Sequence, residues 1–92
     1  MNYNELIRAA AEADREAFLA SDPDRTEYLG QIWDAAHRTM KDIARDADLT
    51  QRKLADHFNI PYRTMEDWCR GARKCPPYIM LMMQEILGLV QR

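Results

Sequence analysis

Cys69, Cys75 and His57 are the side chains of this 92-residue sequence best suited by type to hold a metal, and their spacing argues against it. Structural zinc takes four ligands, usually in close pairs such as C-x2-C, whereas CRGARKC separates its two cysteines by six positions and no second pair follows. The cysteines therefore read as reduced thiols, and no metal or cofactor is expected. Catalysis fares no better. His37 has polar neighbours, His57 falls in the middle of a helical pattern, and the sequence holds neither a nucleophile at a recognisable elbow nor a Gly-rich phosphate loop, so no enzyme is expected. Pairs of acids such as Asp46 and Asp48 read as a solvated helix end.

The remaining chemistry is electrostatic. The formal net charge is only −2, but it is unevenly laid out. Residues 1–48 carry 11 acidic and 6 basic side chains, and residues 49–92 carry 4 acidic and 7 basic. Six of those seven cations, Arg52, Lys53, Arg63, Arg70, Arg73 and Lys74, fall within 23 positions, which suits one electropositive face opposed to a polyanion.

What must position these side chains is a set of helices. Tyr3, Leu6, Ile7, Ala10, Ala13, Ala17 and Phe18 recur at three- and four-residue steps, predicting an amphipathic helix over 3–20. SDPD supplies a stop and a new start, with Asp22 as N-cap and Pro23 at the first helical position. Leu29, Ile32, Trp33, Ala36, Met40, Ile43, Ala44 and Ala47 then predict one long helix over 22–48, antiparallel to the first. Thr50 caps a short helix carrying Leu54, Ala55 and Phe58; Asn59 accepts the left-handed backbone of a tight turn, and Pro61 opens a further helix over 61–70. Gly71 is the expected C-cap of that helix, before a basic loop that ends in two prolines. Residues 77–91 predict a final helix apolar around nearly its whole circumference. No strand pattern or internal repeat is present. The expected organisation is a single all-α domain with 1–21 as an accessory helix. No membrane-length apolar run and no signal-peptide pattern occur, so the expected location is the cytoplasm.

Residues 50–71 supply the parts of a helix-turn-helix: a short helix, a sharp turn and a second helix held across the first. Ala55 is small where the helices cross, Ile60 and Met65 plug the angle between them, and Trp68 is expected to anchor the second helix. Tyr62, Arg63, Glu66 and Asp67 then face outwards. The stretch LTQRKLADHFNIPYRTMEDWCRGARKCP, Leu49 to Pro76, resembles the lambda-repressor-like, Cro-type (XRE) DNA-binding family in its Leu-Thr-Gln start, Leu-Ala pair, turn followed by Ile, Trp, and Gly before basic residues and Pro. It departs from the family at Asn59, where a Gly is common, at Pro61, where Ser or Thr usually caps, and at Cys69, where Glu often follows the Trp.

The resemblance implies a bundle of about five helices with an extra N-terminal helix, and a sequence-specific regulator of transcription, a repressor, with double-stranded DNA as partner. By position, Gln51 touches phosphate and braces the recognition helix, while Tyr62, Arg63 and Asp67 occupy base-reading positions. Arg63 suits a bidentate contact to guanine, and Glu66 and Asp67 suit cytosine amino groups. Arg52, Thr64, Arg73 and Lys74 are the expected phosphate contacts. The surplus apolar surface of the last helix predicts a two-fold homodimer through Ile79, Met82, Met83, Ile86, Leu87 and Val90, which implies an inverted-repeat operator; the N-terminal hairpin is the alternative dimer surface. A competing class is a protein-interaction module, such as an antitoxin or phage-type inhibitor, in which the same fold grips an unidentified protein partner. The acids Glu66 and Asp67, which repel phosphate, leave that class open.

Overall fold

The computed structural model describes residues 2–91, and every described element is helical. The chain divides into two compact units, one made of residues 2–37 with 77–91 and the other of residues 38–76. The two units differ in charge by the same margin as the two halves of the sequence. Residues 38–76 hold nine Lys and Arg against six Asp and Glu, a net +3, while the remainder holds four against nine, a net −5.

The first unit contains α1 (Tyr3–Glu12), α2 (Arg15–Ala20), a 3-10 turn (Pro23–Arg25), α3 (Thr26–Ala36) and α7 (Pro77–Ile86). Its core joins Ile7 and Ala10 of α1, Phe18 of α2, Leu29, Ile32 and Ala35 of α3, Leu81 of α7 and Val90. The predicted helix over 3–20 is broken at Ala13 and Asp14, both extended in ψ, and the freed Ala13 carbonyl accepts the Trp33 indole N–H at 2.9 Å. A periodicity count cannot see that break, because both halves keep their apolar faces on the same core. Gln84, fully buried, ties α7 to α3 by donating to the Ala35 carbonyl at 3.1 Å, as well as to Met80 of its own helix at 3.2 Å.

The predicted helix over 22–48 is likewise not continuous. Pro23 opens only the 3-10 turn, Asp22 makes no side-chain cap, and α3 ends at Ala36. His37 stacks on Trp33 with ring centroids 3.8 Å apart and its Nδ1 lies 2.8 Å from the Trp33 carbonyl, so the side chain folds back over the last turn. Two residues later Thr39 starts α4 (Met40–Asp46) with a reciprocal capping box: Thr39 Oγ1 accepts from the Asp42 backbone at 3.1 Å and Asp42 Oδ2 accepts from the Thr39 backbone at 2.9 Å. The box satisfies two donors that a helix start otherwise leaves unpaired.

The second unit consists of α4, α5 (Gln51–His57) and α6 (Tyr62–Arg70). Met40, Ile43 and Ala44 of α4, Leu54 and Ala55 of α5 and Met65 of α6 are its buried apolar side chains. Its helices end alike. Asp48 (φ 58°), Asn59 (φ 55°) and Gly71 (φ 81°) adopt the left-handed conformation, and the next residue reaches back to the last turn: Leu49 to Ala44 at 2.9 Å, Ile60 to Ala55 at 2.9 Å, Ala72 to Asp67 at 2.9 Å. Thr50 caps α5 by accepting from the Lys53 backbone at 3.1 Å. These bonds fix where α6 starts relative to α5. The final helix, expected to 91, stops at Ile86 for the same reason: Gly88 (φ 78°) turns the chain and Leu89 donates to the Gln84 carbonyl at 2.8 Å.

Candidate nucleic-acid interface

The turn over residues 58–61 hands the chain from α5 to α6 within four residues, and α6 is sharply two-faced. Met65 points into the unit's core and is fully enclosed, while the adjoining Arg63 and Glu66 are exposed. Tyr62, at the first position of α6, is half-buried, and the Arg52 guanidinium of α5 lies over its ring, 4.1 Å from the centroid. Arg52 and Tyr62 therefore brace one another across the two helix starts. Gln51 and Thr64 are half-buried; Lys53, Arg70, Arg73 and Lys74 are exposed. Within residues 38–76, the cations predicted from the sequence thus sit on the starts of α5 and α6, at the end of α6 and on the basic loop after it.

Two residues on α6 differ from expectation. Trp68, expected as the anchor, is only half-buried, and Met65 and Leu54 are the side chains sealed at the helix junction. Asp67, expected to face outwards, is held inside a cluster of arginines, its side chain 12% exposed against 66% for Arg70 and 71% for Arg73. Arg70 Nη2 lies 2.7 Å from Asp67 Oδ1, and Arg73 Nε lies 3.7 Å from Oδ2. The hydrogen bond from Arg70, followed by the charges of Arg70, Arg73 and Arg63, holds the Asp67 carboxyl below the usual carboxylate range. Its carbonyl accepts from Gly71 and Ala72, with a longer 3.3 Å bond from Arg73. The sequence offers a signal for this arrangement: Asp67 and Arg70 stand at i, i+3 on one helix, next to the Gly71 cap.

In the first unit, the residues expected to form a dimer surface separate. Met83 and Val90 are each 3% exposed and belong to their own unit's interior, and Ile79 and Leu87 are half-buried. Outward-facing are Tyr78, Met82 and Ile86, four residues apart and so in one row along α7, with Ile86 65% exposed. Position 84, in the middle of the apolar run, is what turned the helix: the buried Gln84 amide requires its carbonyl partners, which commits the 83/84 side inward.

Both cysteines are half-buried, and burial raises both thiols, Cys75 to about 11. Among the described residues no group of His, Cys, Asp and Glu is placed to hold a metal ion, and no helix is long and apolar enough to cross a membrane. Comparison with protein-family models, with curated proteins and with solved structures finds no match.

Proposed function

We propose that α5, the turn over 58–61 and α6 act as a helix-turn-helix that docks α6 in the major groove of double-stranded DNA, making the chain a sequence-specific regulator of transcription of the XRE type. The observation that carries this reading is the pairing of a sealed inner side, Met65, with exposed Arg63 and Glu66 on the same short helix, inside a unit of net +3. An acidic unit would be repelled by phosphate; this one is attracted, and its cations flank the helix that presents base-reading side chains. Arg63 is the residue assigned to a bidentate guanine contact, with Glu66 beside it accepting from cytosine. Arg52, Lys53, Arg73 and Lys74 are assigned to phosphates, and Tyr62 is positioned by Arg52. Repression through an inverted-repeat operator requires two copies, and the row Tyr78, Met82 and Ile86 is the apolar surface on which we place the self-contact. The same row favours the second reading, a protein-binding module, because three large exposed apolar side chains in line suit a protein partner better than water.

Titrations of Arg63→Ala and Lys74→Ala on a selected site and on random duplex test the assignment. Arg63→Ala is expected to lose discrimination at one base pair per half-site, about 1–3 kcal/mol. Lys74→Ala is expected to weaken both DNAs equally. An Arg63→Ala protein with its preference intact would remove Arg63 from the readout.

A further inference from the structure

Asp67 is a carboxylate on the helix proposed to enter the groove, and it is the most enclosed charged side chain of that helix. Its two oxygens are separately engaged, Oδ1 by Arg70 at 2.7 Å and Oδ2 by Arg73 at 3.7 Å. Both guanidiniums are otherwise open to solvent, and Arg63 contributes to the same field from one turn earlier. Arg63, Glu66, Asp67 and Arg70 also line a shallow depression on this face. A carboxylate and a phosphate present the same thing to a guanidinium, two anionic oxygens spaced for parallel N–H donors. The Asp67 main chain is equally committed, since its carbonyl takes the N–H groups of Gly71, Ala72 and Arg73 that begin the basic loop.

We propose that Asp67 is an internal substitute for a DNA phosphate: in the free protein it occupies Arg70 and Arg73, and the DNA backbone must displace it to engage them. This rests on the DNA-binding reading of the same face and gives Asp67 a role other than base contact. The three side chains together carry a net charge of +1, against +2 if Asp67 were neutral. Sequence-independent binding, which depends on that charge, is therefore held down, while a matched site supplies base contacts that compensate for the exchange. Asp67 is a selectivity device, positioning two phosphate-binding arginines and competing for them.

The test is Asp67→Asn, which keeps the shape and removes the charge, measured by fluorescence anisotropy on a random-sequence duplex across a salt series. One additional effective cation steepens the slope of log K against log salt by about 0.9, equivalent to about tenfold tighter random binding near 0.1 M salt. The ratio of specific to random affinity should fall correspondingly, with the preferred bases unchanged. In an Arg70→Gln/Arg73→Gln background the same substitution should gain clearly less, since only direct repulsion of the phosphates is then relieved. Unchanged random binding, an equal gain in that double-arginine background, or an altered base preference at constant slope would each overturn the proposal. Should Asp67→Asn not fold, the Arg73 Nε–H resonance of the wild-type protein gives the answer: it should shift on adding the selected duplex, and a signal that stays put in that complex rejects the displacement. A wild-type chain that binds no duplex DNA removes the DNA reading itself, whereas wild-type binding with an indifferent Asp67→Asn removes only the role given to Asp67.

Discussion

Met65→Ala should unfold most of the second unit, and the reason is arithmetic. Met65 is fully enclosed between helices whose other buried side chains are Met40, Ile43, Leu54 and small alanines. Truncation to Ala removes three heavy atoms from the core, worth about 2 kcal/mol in transfer alone at ~0.8 kcal/mol per methylene-sized group. The cavity adds to this, bringing the expected loss to about 3 kcal/mol within the 2–5 kcal/mol range for such truncations. The unit comprises the 39 residues 38–76. At ~0.05–0.15 kcal/mol per residue it commands only about 2–6 kcal/mol, so a loss of 3 is decisive. Hydrogen exchange followed residue by residue is the assay, because it reports the opening of α5 and α6 separately from the rest of the chain. Amides of α5 and α6 in Met65→Ala should lose most of their protection, while Glu66→Ala, one position along and exposed, should stay within about 0.5 kcal/mol of the parent. Equal effects of the two substitutions would mean that α6 is rotated about its axis, and the outward assignment of Arg63 would fall with it.

The capping box makes Thr39→Ala cost about 1 kcal/mol, read by thermal melting. The hydrogen bonds from the Thr39 backbone and side chain hold the Asp42 carboxyl below its ordinary value, so this contribution is complete above the unfolded carboxylate pKa and lost as pH falls through the lower folded one. A Thr39→Ala penalty that did not shrink in acid would contradict the assignment. Cys75, raised to about 11, should react with iodoacetamide at pH 8 about a hundredfold more slowly than an unperturbed thiol, and a fast reaction there would show it to be solvated. The self-contact proposed on the Tyr78, Met82 and Ile86 row predicts that the wild-type chain self-associates in light scattering and that Ile86→Glu does not, with the melting temperature kept because Ile86 is mostly exposed; Met83→Glu should instead destabilise the fold.

The local signals in the sequence were strong where one residue type has a single physical role. Thr50 as a cap, Asn59 in the left-handed turn and Gly71 ending α6 all depend on short-range geometry, and the structure places each as expected. The continuous helices over 3–20 and 22–48 failed because an apolar period persists across a break when both segments serve buried faces. The signal for the second break was nonetheless present, as the T-x-x-D of Thr39 and Asp42. The outward face of α6 was legible at Arg63 and Glu66 but not at Asp67, whose enclosure depends on arginines three and six residues further on and on a loop turned back by Gly71. On α7 composition alone could not assign faces; the row at 78, 82 and 86 became distinguishable only through the commitments of Gln84, Met83 and Val90.

The central claim is that α6 reads DNA, and selection of bound duplexes from a random pool by the wild-type protein, with each enriched sequence then titrated across a salt series, tests it most directly. The account predicts enrichment of a two-fold motif with a guanine in each half-site, and affinity that falls steeply and linearly in log salt. No enrichment over the starting pool, or binding indifferent to salt, would contradict it.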